Sequence, residues 1–264
     1  MTAALHAEWT KLRTVAEVRW WLLAAAVLTA GLSAVAVAAT HGPPGGGDPG
    51  PDPGLDLTKL TLTGVHLGQL VVVLVAVTVM SGEYGTRMIQ STLAAVPRRA
   101  TVLAAKAAVV TAVVLATSTA GVLGSLLAGR IILPRNGFTG ADGLRLPALT
   151  EGPTVRAAAG TVLYLVLVAL LSLGVATMVR EAAVAAGSVL ALLYLFPMMA
   201  MAVSDPDWQR HLRQIGPMTA GLSIQATVGL DGLPIDPWPG LGVLGLWALG
   251  ALVAGAAVLS LRDA

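Results

Sequence analysis

The chain has 264 residues, of which 56% are hydrophobic and 11% charged, with a formal net charge of +2 and a mean hydropathy of +0.80. Soluble domains carry about 25% charged residues, so this much apolar surface calls for lipid as its solvent. The small charge, with no basic run or aromatic platform, excludes nucleic acid as a partner, and the lack of cysteine excludes disulfides and thiolate metal sites.

The opening residues place Leu5, Trp9, Leu12 and Ala16 on one helical stripe, with Thr10, Lys11, Thr14 and Glu17 opposite. This predicts an amphipathic helix over about 5–17, lying on a membrane surface with Trp9 at headgroup depth. The plainer alternative is an extension that only positions the first span. Six stretches free of Asp, Glu, Lys and Arg follow, over about 20–40, 60–81, 107–128, 157–179, 182–203 and 239–261. Each meets the roughly 20 apolar residues that cross about 30 Å of hydrocarbon as a helix. The first lacks an A-x-A-like cleavage site followed by a soluble body and reads as a span, not a removed leader.

Between the first two spans, HGPPGGGDPGPDPGLD is too rich in Pro and Gly to be helical. Within the second span His66 and Gln69 share a face, three residues apart. They are candidates for a cavity lining, although an interhelical hydrogen bond is the commoner role of such groups. Gly64 and Gly68 form a small-x-x-x-small pattern, poor evidence of a dimer interface in so glycine-rich a chain.

The connection to the third span, SGEYGTRMIQSTLAAVPRR, is too long for a turn and carries a short apolar face of Met88, Ile89, Leu93 and Val96, stopped by Pro97. A helix over about 86–96 would present that face to a groove on a partner; the bland reading is a solvated basic loop. Lys106 is placed to snorkel from the start of the third span, and residues 133–153 form another polar loop. Threonines and serines within the third span, such as Thr111, Thr117, Ser118 and Thr119, suit local bonds to backbone carbonyls.

Spans four and five are separated by Arg180 and Glu181 alone, which requires a tight antiparallel hairpin. Pro197 predicts a kink in span five. Two short runs before the last span, Trp208–Ile215 and Thr219–Val228, are split by Gly216 and Pro217. The second is too short to cross, so re-entry and an interfacial lid both fit. An even number of spans puts both termini on one side. Counting nine basic residues on that side against seven on the other places it weakly in the cytoplasm.

The opening AEWTKLRT, the span order and GEYGTRMIQSTLAAVPRR after span two resemble bacterial ABC transporter permeases of the type-2 export class, in an actinobacterial-like form. The similarity is most specific across Glu83–Arg99. It implies an all-α polytopic membrane protein of one transmembrane domain. Its parts would be a connecting helix carrying Trp9, Lys11, Leu12 and Arg13, a cytoplasmic coupling helix, and short extracellular or re-entrant helices before the last span. By the same resemblance Glu83, Tyr84, Thr86, Arg87, Met88, Ile89, Leu93, Arg98 and Arg99 belong to the contact with an ATPase. Arg87 stands where relatives often carry a small residue. The implied assembly is two permease copies, identical or related, in the bacterial inner membrane with two ATPase subunits beneath.

No G-x-x-x-x-G-K-[ST] phosphate loop is present, so ATP and Mg are expected on the partner and no cofactor on this chain. The sequence also lacks H-E-x-x-H, an acid pair within a span, and G-x-S-x-G, which disfavours catalysis in the membrane. The absence of charge in the spans favours an apolar or amphipathic substrate. Two rivals stay open: a motorless channel or secondary transporter, for which His66 is the available proton-handling group, and an anchor that recruits a soluble partner and moves nothing.

Overall fold

A computed structural model describes residue 10 and residues 16–41, 55–85, 99–138 and 146–262, leaving aside the side chains of 16–18, 83–85, 99 and 262. The described residues are helical throughout, joined by short turns, as expected where lipid offers the backbone no partners. The helices are α1 (Ala16–Ala39), α2 (Leu57–Thr61), α3 (Val65–Gly85), α4 (Arg99–Arg135), α5 (Gly152–Val179), α6 (Ala182–Ala202), α7 (Pro206–Ile215), α8 (Pro217–Gly221) and α9 (Pro237–Arg262). Two 3-10 turns, Leu222–Gln225 and Leu230–Gly232, precede α9. Six of them, α1, α3, α4, α5, α6 and α9, are long and apolar enough to cross a membrane. The protein is an integral membrane protein, with six candidate spans among the described residues.

Two elements differ in detail from the hydropathy reading. The stretch expected as one span from Leu60 begins instead with α2 and a turn at 62–64, and the continuous helix starts at Val65. Asp56 caps α2, its carboxylate accepting from the Lys59 amide at 2.9 Å. The third span belongs to a helix of 37 residues, about 55 Å long at 1.5 Å per residue. Because that helix already starts at Arg99, Lys106 lies within the bundle, 1% exposed, and does not snorkel. Pro197 sits inside α6, which continues to Ala202.

The α5–α6 hairpin is as tight as its two-residue spacing requires. Arg180 takes a left-handed conformation (φ 65°) that closes α5, and Glu181 caps α6 by accepting from the amides of Ala183 and Val184. At the other end of the bundle, Asn136 after α4 donates to the carbonyls of Val37 and Thr40, satisfying the last turn of α1.

Burial places α5 at the centre, packed against α3, α4, α6 and α9. Of its most apolar stretch 67% is buried, against 22% for α1 and for α9, which are therefore flanking helices. Several contacts need glycine, two of them where spans meet backbone to backbone. A Cβ on Gly64 would collide with the Thr29 carbonyl and the Ser33 hydroxyl of α1. One on Gly174 would meet the Ala251 backbone at 2.5 Å, where α5 crosses α9. The Gly64/Gly68 pattern thus packs α3 against α1 within the chain.

The two runs before the last span have different fates. In α7, Leu212 is buried while Trp208 is 60% exposed. The following segment, 217–226, is inserted among α5, α6 and α9, with Met218, Ala220, Ile224 and Gln225 buried. Ile224 occupies the space beside Gly160, and the Tyr164 ring lies against Gly221.

Candidate functional site

The inserted segment enters the bundle at the end opposite the start of α1 and the end of α9, called the distal end below. Its first turn reaches a polar centre built on Gln69. As the fifth residue of α3, Gln69 points into the bundle and is fully buried. A buried amide must be hydrogen-bonded or it is destabilising by about 1–3 kcal/mol. Here Tyr164 of α5 donates its hydroxyl to Gln69 Oε1 at 2.5 Å. Gln69 Nε2 donates to the Tyr194 hydroxyl of α6 at 2.8 Å, and lies 3.8 Å from the Met218 sulfur. One side chain thereby ties α3, α5, α6 and α8 together. Tyr194 is half-buried, and because its oxygen accepts from Gln69 its own O–H remains able to donate.

The exit of the segment is held from two sides. On the α5 side Gln225 Nε2 donates to Thr161 Oγ1 at 3.2 Å, and the Arg156 guanidinium donates to the Ala226 carbonyl. On the α2 side the Asp56 carboxylate receives the Thr227 hydroxyl at 2.8 Å on Oδ1 and the amides of Thr227 and Val228 on Oδ2, at 2.5 and 3.2 Å. With the cap bond from Lys59, four donors converge on Asp56. Beside it lies an open hollow of ≈ 380 Å³, between Leu55, Lys59 and Leu60 on one wall and Ala226, Val228 and Leu233 on the other.

Of the residues singled out in the sequence, Gln69 performs the interhelical role and is enclosed. His66, one turn nearer the distal end, is half-buried and stays out of the Gln69 network. Glu83 and Tyr84 lie in the last turns of α3, and Arg99 opens α4, with side chains outside the described set. Thr86, Arg87, Met88, Ile89, Leu93 and Arg98, and with them the helix expected over 86–96, lie outside the described residues. So do Trp9, Lys11, Leu12 and Arg13 of the opening helix.

Sequence reasoning missed Tyr164, Tyr194, Asp56 and Arg156. A signal existed for the tyrosines: the chain has three, and two fall inside spans, where the hydroxyl needs a partner. Locally Asp56 is only a helix cap, and nothing marks it as the partner of Thr227 and Val228, 171 and 172 residues away.

Compared with known proteins, the chain matches the family model described as ABC-2 family transporter protein over residues 4–198, from the opening segment into α6. No curated protein matches it significantly.

Proposed function

We propose, for a chain that belongs to the ABC-2 family of transporter proteins and is a permease component of an ABC transporter, that it forms the membrane path of an ATP-driven exporter. In this reading a second permease copy, identical or related, completes the path. Two ABC ATPase subunits bind ATP and Mg and hydrolyse ATP beneath it. The termini face the cytoplasm across the bacterial inner membrane, and the substrate is apolar or amphipathic.

The observation that carries the reading is the side of the bundle on which α3 ends and α4 begins. α3 ends at Gly85 and α4 begins at Arg99, on the side of the bundle that also holds the start of α1 and the end of α9. A docking element belongs on the side of a cytoplasmic motor. The sequence there supplies Met88, Ile89 and Leu93, each yielding roughly 1.5–3 kcal/mol when covered, and Arg98 with Arg99 to meet anionic headgroups. Closure of the ATPases would then be transmitted through Thr86–Val96 to α3 and α4, the helices it joins.

The test replaces both Ile89→Asp and Leu93→Asp. Insertion and the size-exclusion profile of the permease should be unchanged. Co-purification with its ABC ATPase should be lost, and with it ATP-driven export. A doubly substituted protein that still captures its ATPase and exports at the normal rate defeats the docking assignment.

A further inference from the structure

The inserted segment is fastened in two unlike ways. Towards α5 and α9 it is fitted mainly by shape, with Ile224 beside Gly160, Gly221 beneath Tyr164 and the Ala220 carbonyl against Gly240, to which Gln225 and Arg156 add hydrogen bonds on the α5 side. Towards α2 its exit is fastened by the Asp56 carboxylate, with the open hollow alongside. Parting α2 from 226–233 would therefore uncover little close-packed surface. It would cost mainly the hydrogen bonds to one partly exposed carboxylate, for which water can substitute. Parting the segment from α5 would instead open voids beside glycines, where lost contacts have no replacement.

We propose that Asp56 is the catch of a distal gate: while its carboxylate holds Thr227 and Val228 the distal mouth is shut, and release lets α2 with the start of α3 separate from the inserted segment. The opening then runs from the hollow inward along α3 to Gln69 and Met218, and substrate leaves through it. This rests on the exporter reading. The four donors on Asp56 set the catch strongly enough to keep the resting pathway sealed. Its partial exposure keeps the catch reversible.

The native lack of cysteine permits a direct test on the full chain in lipid nanodiscs, where both faces are reachable. Met218→Cys places a reporter thiol beneath the gate, 7% exposed at its native residue, and its reaction rate with a charged maleimide is measured. Asp56→Asn is isosteric, yet whichever way its amide lies an NH2 group faces N–H or O–H donors. It should speed labelling about tenfold. Thr227→Val, which removes one donor, should speed it about threefold, and Thr227→Ser should leave it unchanged. An unchanged rate in Asp56→Asn overturns the proposal. Should that variant aggregate, equal rates for Thr227→Val and Thr227→Ser overturn it instead.

A second arm joins Asp56→Cys to Thr227→Cys by oxidation in proteoliposomes containing the ATPase. Export should fall at least about tenfold and return on reduction; full export through the locked protein refutes the gate. Absence of ATP-driven export in the unmodified protein would defeat the exporter reading alone, and the labelling arm would still decide the catch.

Discussion

At its beginning α3 meets α1 through bare backbone: Gly64 lies against the Thr29 carbonyl, its amide donates to Ser33 Oγ at 3.0 Å, and Gly68 lies under the Thr29 hydroxyl. One turn further on the same helix meets α5, α6 and α8 through the Gln69 amide and two tyrosine hydroxyls. In the first region the hydroxyls mostly satisfy their own helix, Thr29 donating to Ala25 and Ser125 to Gly121, and contact depends on the absence of a Cβ. In the second, side chains reach across between elements. A contact without slack is either made or broken, which suits a fixed joint. Hydrogen bonds between side chains can be exchanged for others, which suits a joint that moves.

The largest effect should come from Gly64→Ala, because the new methyl meets a backbone carbonyl that cannot turn aside. A loss of about 3 kcal/mol, read as loss of the folded peak after heating in detergent, would confirm α1–α3 as a rigid joint. Gly68→Ala conflicts chiefly with the Thr29 hydroxyl and should cost about 1–3 kcal/mol. Adding Thr29→Ala should restore most of that, whereas the same addition should not rescue Gly64→Ala. Equal rescue of both would erase the distinction between backbone and side-chain contact.

Gln69→Leu tests the other joint. It orphans the Tyr164 hydroxyl in a fully buried site and should lower stability by about 1–3 kcal/mol, with part recovered by adding Tyr164→Phe. If the double substitution is no better than the single one, the network contributes through packing alone. At the small end, Ser188→Ala removes an exposed hydroxyl that only donates back to Val184. Its effect should stay within about 0.5 kcal/mol, giving the baseline against which the two joints are compared.

The count of spans and the α5–α6 hairpin were legible in the chain because both are local: about 20 apolar residues without a charge are enough to specify a crossing, and two residues between crossings leave no other path. The break before Val65 was not legible, since Leu60–Val65 carries no charge and no proline, and the close approach of Gly64 to Thr29 there involves a residue 35 positions earlier. Lys106 misled for a related reason. Its neighbours in sequence mark a helix boundary, while the helix actually begins at Arg99.

The sequence by itself determined that this is a membrane protein with six candidate spans, with its most specific family signature between spans two and three, because hydropathy and motif are properties of neighbouring residues. Only the tertiary structure decided that Gln69 binds Tyr194, 125 residues on, and that Asp56 holds Thr227, 171 residues on. No local pattern encodes which polar groups meet across a bundle; that follows from how glycine contacts set the distances between helices, and it appears only once all six are packed.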